Sequence, residues 1–246
     1  MKMLKYLSCC ITFGLSNMAQ ADFIGIKGSV DYWLYHGHVQ AQPLTTLLSN
    51  QQGSGSLIIN PDLDSNHTHD LKRDAALQFS LAIEHPIPLF PNAKIRYVNL
   101  DSQIKNAGHD NVSLHDTDFI LYYQILDNIV NLDLGIGATH LSGDVSRSDT
   151  DQINLNNTYP IIYLNTEAKL PFTGLMALAE VNYSHMNNTK IRDIRGEAKY
   201  ELINNIIVDV GAKVGYRMLK IDLDDHQNND LNFEFKGPYI GLEAHF

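Results

Sequence analysis

The sequence predicts an all-β protein: an antiparallel, up-and-down transmembrane β-barrel of about ten strands. Three observations lead there. Long segments alternate strictly between apolar and polar residues, the connectors between them alternate between short and long, and the last segment keeps its alternation to the final Phe246. A strand shows its two faces at a period of two, so one apolar and one polar face side by side is the mark of a sheet between two unlike surroundings.

In chain order, residues 1–21 read as a signal peptide. Lys2 and Lys5 form a positive start, Leu7 to Met18 is mostly apolar, and Ala19-Gln20-Ala21 is a small-x-small cleavage site. The apolar run is too short to span a bilayer. The barrel is then expected to occupy residues 22–246. Cys9 and Cys10 are the only cysteines, and both lie in the leader, so disulfides and thiolate metal sites are excluded. The formal charge of −10 becomes more negative without Lys2 and Lys5, which argues against nucleic acid as a partner.

The first strand is expected at 23–36, where Ile24, Ile26, Gly28, Val30, Tyr32 and Leu34 oppose Lys27, Ser29, Asp31 and Trp33. At 73–85, Leu77, Phe79, Leu81 and Ile83 oppose Gln78, Ser80 and Glu84. Segments at 93–104 and 114–126 follow. At 130–144, Leu132, Leu134, Ile136 and Ala138 oppose Asn131, Asp133, Gly135 and Gly137. Segments at 158–170 and 175–186 lead to 190–203, where Arg195, Glu197, Lys199 and Glu201 stand against Ile194, Gly196, Ala198, Tyr200 and Leu202. At 206–220, Val210, Ala212, Val214, Tyr216 and Met218 oppose Asp209, Lys213 and Arg217, and 231–246 completes the set. These segments are longer than the usual globular strand and suit a tilted membrane crossing.

The connectors 86–92, 127–128, 171–174 and 204–205 are short, whereas 37–72, 105–113, 145–157 and 221–230 are long and polar; 186–188 is a short exception. An even strand count with short periplasmic turns and long external loops is the outer-membrane layout. Lipid offers no hydrogen bonds to a free strand edge, so the first and last strands are expected to pair.

The stretches DFIGIKGSVDYW (22–33), EHPIPLFPN (84–92) and GPYIGLEAHF (237–246) resemble a small family of uncharacterised proteobacterial outer-membrane β-barrel proteins. The resemblance implies a location in the cell outer membrane, in contact with its lipid and lipopolysaccharide. Tyr239, Gly241, Ala244 and Phe246 resemble the closing signal read by the outer-membrane assembly machinery, with Ala244 smaller than usual at its position. The family supplies no catalytic residues.

The polar face assigns many charges to the lumen: Lys27, Asp31, Glu84, Arg96, Asp118, Asp133, Glu167, Lys169, Glu180, Arg195, Glu197, Lys199, Asp209, Lys213, Arg217 and Glu243. At ten strands they are expected to pair and fill the interior, because open aqueous channels need about 16 strands. The function expected is a structural or surface-binding barrel, with a narrow pore for ions or small solutes as the alternative and a barrel enzyme as a second one. No cofactor is expected. His36-x-His38 and His67-x-His69 flank the first long connector and could offer imidazoles to a metal if they converged. Asp62-x-Asp64 and Asp224-x-His226 superficially imitate the rim pairs of omptin proteases, in the wrong order. His140-Leu141-Ser142 has the His-x-Ser spacing of outer-membrane lipid A deacylases, without an identified third member.

Overall fold

The computed structural model describes residues 25–41, 68–87, 89–105, 111–126, 129–147, 151–186, 188–205, 207–223 and 231–246. Eleven strands follow in order: β1 (Gly25–Ala41), β2 (Thr68–Asp70), β3 (Asp74–Glu84), β4 (Asn92–Gln103), β5 (Asn111–Leu126), β6 (Val130–Arg147), β7 (Asp151–Leu170), β8 (Leu175–Met186), β9 (Thr189–Asn204), β10 (Asp209–Leu223) and β11 (Leu231–His245). Beyond β2 each strand pairs antiparallel with its chain neighbour, and β11 pairs with β1. β2 is a three-residue piece that pairs with His38–Gln40 of β1 just ahead of β3. The result is a closed up-and-down barrel of ten spans. Closure continues to the last residue, where Phe246 and Ile26 exchange backbone hydrogen bonds of 2.9 and 3.0 Å.

The strands reach further on the long-loop side than the alternation predicts. β1 runs to Ala41 where 36 is expected, and β10 to Leu223 where 220 is expected. The polar stretch 145–157, read as a loop, consists mostly of the arms of the β6–β7 hairpin, paired as far as Arg147 and Asp151. Hydrogen bonding along the ladder holds these arms in strand form whatever the side chains.

The strand ends joined by the short turns gather at one end of the barrel, here the turn end, and the opposite strand ends at the other, the loop end. The turn at 171–174 needs a left-handed backbone, with φ of +64° at Phe172 and +68° at Gly174. Glycine takes that conformation without steric cost.

The outer face is apolar in a belt around the turn-end half. Val30, Phe79, Leu121, Ile136, Ile162, Val214 and Ile240 are each 46–69% exposed. Water penalises such a surface, whereas hydrocarbon covers it at no cost. The inner face at the same height is polar. Toward the loop end the chemistry reverses, and the lumen is packed with Leu71, Val98, Leu100, Leu114, Ile221, Phe233 and Phe235, all at most 1% exposed.

Candidate functional site

The polar part of the lumen is built in layers. Nearest the turn end is an open vestibule of about 370 Å³, lined among others by Lys27, Glu84, Glu167, Lys199 and Glu243, with Lys169, Glu201, Asp209 and His245 around its rim. Lys199 Nζ reaches Glu243 Oε1 at 2.8 Å and Glu167 Oε2 at 3.7 Å. Lys27 Nζ lies 3.3 Å from Glu84 Oε1, which also accepts from the Tyr122 hydroxyl at 2.9 Å.

The next layer holds Lys213 between Asp31 (3.0 Å) and Glu197 (3.7 Å). The Tyr239 hydroxyl donates to Glu197 at 2.6 Å. Gly241 is required here: a Cβ on it would stand 2.1 Å from Asp31 Oδ1 and displace the carboxylate from Lys213.

Above lies the densest layer. The Arg96 guanidinium contacts Asp118, Glu180 and Asp193. Arg217 donates to Asp193 (2.9 Å), Asp116 (3.0 Å) and Gln78 (2.8 Å). Arg195 donates to Gln78 Oε1 at 2.9 Å, and Gln78 donates to Asp31 at 2.7 Å. Lys94 completes the set against Glu180 at 2.5 Å. Four cations, Lys94, Arg96, Arg195 and Arg217, thus face four carboxylates, Asp116, Asp118, Glu180 and Asp193. Arg96 and Arg217 are each only 1% exposed. A buried ion is tolerable only with such partners, since effective desolvation costs several kcal/mol per ion.

Trp33 forms the boundary with the apolar region. The Arg217 guanidinium carbon lies 4.7 Å from its ring centroid, and its Nε1 donates to Gly237 O at 3.1 Å. Tyr35 and Phe235 pack beyond it, edge to face with centroids 5.7 Å apart. Among the described residues, the ion layer and the aromatic layer stack across the lumen, with Arg96, Arg217, Trp33 and Phe235 each at most 1% exposed, and a cavity of about 60 Å³ remains beside Lys94, Glu180 and Lys213.

Every lumen charge expected from the alternation lies on the lumen wall, and Lys169 alone of them is exposed, at the rim. The alternation placed Gln78 on the polar face without giving it a role, and it did not single out Lys94, Asp116 or Asp193. The signal was available, since Asp116 and Asp193 stand two residues from Asp118 and Arg195 on the same faces.

The proposed metal set is corrected by register. His69 stands opposite Val39, which is buried in the lumen, whereas His36 and His38 alternate onto the outer face. They therefore do not converge, and His67 lies outside the described residues. His38 Nε2 instead lies 3.8 Å from Glu234. Among the described residues, no three His, Cys, Asp or Glu side chains gather as a metal site. Asp62, Asp64, Asp224 and His226 also lie outside the described residues. His140 Nδ1 hydrogen-bonds Thr158 Oγ1 at 3.0 Å on the outer face, while Leu141 between it and Ser142 is buried in the lumen. Of the closing residues, Tyr239 faces the lumen, and Phe246 is exposed on the outer face.

A closed antiparallel barrel with an apolar belt outside and charge within belongs to the class of outer-membrane β-barrels. Solved structures bear this out at the level of the fold. OmpT, an outer-membrane protease of Escherichia coli, aligns with a TM-score of 0.52 and 11% identity over 90% of this chain and 97% of that one. The translocator domain of autotransporter NalP from Neisseria meningitidis gives 0.40 and 11%, over 98% and 94%. A FadL homologue of Pseudomonas aeruginosa gives 0.39 and 9%, over 92% and 90%. At such identities the likeness to OmpT is one of fold alone, and the other two add nothing to it. No protein-family model matches the chain, and no curated protein sequence matches it.

Proposed function

We propose that this chain is a structural or surface-binding barrel of the Gram-negative outer membrane, exported by residues 1–21 with cleavage after Ala21, and that its lumen does not conduct. The turn end faces the periplasm and the loop end the outside. Outer-membrane lipid and lipopolysaccharide surround the belt, and the assembly machinery engages β11 through the closing residues Tyr239, Gly241, Ala244 and Phe246. The observation that carries the reading is the packed cross-section, in which Arg96 and Arg217 are held among carboxylates beneath Trp33 and Phe235. A solute entering from the vestibule would have to separate buried ion pairs and then cross an apolar layer, and both steps are costly.

Planar-bilayer recording on refolded protein tests this. The expected result is a bilayer with inserted barrels and no unitary current steps. Sustained steps would establish the narrow pore instead. Export is tested by fractionation: recovery in the outer membrane, with heat-modifiable gel migration, is expected, and recovery as a soluble periplasmic protein would end the proposal.

A further inference from the structure

The outer face just beyond the apolar belt differs in charge from one side of the barrel to the other. On β9, β10 and β11 it carries Lys190, Arg192, Lys220 and Lys236. The register sets them side by side: Arg192 stands opposite Lys220 on the neighbouring strand, and Lys236 opposite Met218, one same-face step from Lys220. Arg192, Lys220 and Lys236 have side chains 44%, 37% and 36% exposed. Two carboxylates lie among them. Asp222 accepts from Arg192 at 2.6 Å and stands 3.7 Å from Lys220, and Glu234 lies 2.5 Å from Lys236. Among its described residues the patch therefore sets four cations against two carboxylates, a surplus of positive charge. On β4 to β7 the outward row past the belt is Asn99, His115, Ser142 and Asn156, with no lysine or arginine in it.

Position selects the partner. Directly below the cations the face turns apolar at Ile194 and Met218, then at Tyr216. One same-face step along a strand is about 7 Å. The cations thus lie within one or two steps of the hydrocarbon, at headgroup height. A lipid headgroup carries its anion to that height, and the arginine fork and compact ammonium groups suit phosphate. We infer that the outer face of β9–β11 is a docking surface for a phosphorylated glycolipid headgroup in the outer leaflet, with Lys190, Arg192, Lys220 and Lys236 as its phosphate contacts and Asp222 and Glu234 as their internal competitors. This rests on the membrane reading and orientation proposed above.

The test uses full-length mature protein refolded in neutral detergent, with bisphosphorylated lipid A and its dephosphorylated form as probes, followed by native mass spectrometry. Preferential binding of the phosphorylated form is expected. Each neutralised cation should weaken it about fivefold, the value of one lysine near an anionic surface. Lys220→Gln with Lys236→Gln should therefore cost about 25-fold, while Lys72→Gln with Lys105→Gln, which removes the same charge elsewhere, should cost little. Asp222→Asn with Glu234→Gln should tighten binding, an effect that a purely structural role for these ion pairs would not produce. Equal binding of both lipids, equal loss in the two lysine pairs, or weakening in the carboxylate pair would overturn the inference. Competition by millimolar inorganic phosphate would assign the patch to a free anion and overturn the lipid as its partner. Heat-modifiable migration confirms that each variant is folded. A folded barrel indifferent to lipid phosphate sinks this inference alone, whereas current steps in the bilayer sink the sealed lumen and leave lipid docking intact.

Discussion

The turn-end and loop-end halves of this barrel are built from the same strands with opposite chemistry. β11 shows the reversal within one strand. Near the turn end its inward residues are Tyr239, Gly241 and Glu243 and its outward ones Ile240, Leu242 and Phe246. Near the loop end the inward residues are Phe233 and Phe235 and the outward ones Glu234 and Lys236. β1 follows the same rule, with Asp31 giving way inside to Trp33, Tyr35 and Val39. The period of two never breaks along these strands; only the identity of the wet side changes. In the belt the outside is hydrocarbon, so polar groups turn inward and must satisfy one another. Past the belt the outside is water, and the interior becomes an ordinary apolar core.

The comparison can be broken most severely in the polar half. Arg217→Leu leaves Asp116 and Asp193 buried without their main partner, and a loss of about 3–5 kcal/mol is expected. Equilibrium urea unfolding in vesicles would measure it. A loss under 1 kcal/mol would mean that water reaches the layer and that the lumen is not packed.

In the apolar half, Phe235→Ala should cost about 3–4 kcal/mol, as a large-to-small change in a closed core. The same unfolding assay reads it. An effect near zero would show that the loop end is open to water.

The smallest experiment sharpens the boundary between the halves. Val214→Arg places a charge on the belt and should cost about 2–4 kcal/mol. Asn156→Arg places the same charge on the outer face past the belt and should stay within about 0.5 kcal/mol. Equal costs would mean that the belt has been drawn at the wrong height.

How much of this was legible in the sequence differs between the halves. The ten spans, their faces in the belt and the lumen charges could all be read, because apolar-out and polar-in alternation is a local signal. The strand extensions past the belt could not. Residues 151–157 alternate weakly and are mostly polar, which is how a loop reads, and only pairing with β6 shows them to be a strand. The histidine pairs failed for a related reason. Spacing puts His36 with His38 and His67 with His69, but the face that His69 occupies depends on the register of β2 with β1, which no local pattern contains.

By itself, then, the sequence determined the period of two, the alternation of short and long connectors and the charge content, all fixed by neighbours along the chain. The tertiary structure decided which charges meet. Arg96 on β4 reaches Asp193 on β9, and Arg217 on β10 reaches Asp116 on β5, across a lumen that exists only once β11 has paired with β1. It also decided that Trp33 and Phe235 cap that layer. Contacts across a closed barrel follow from its curvature and shear, which no single strand carries.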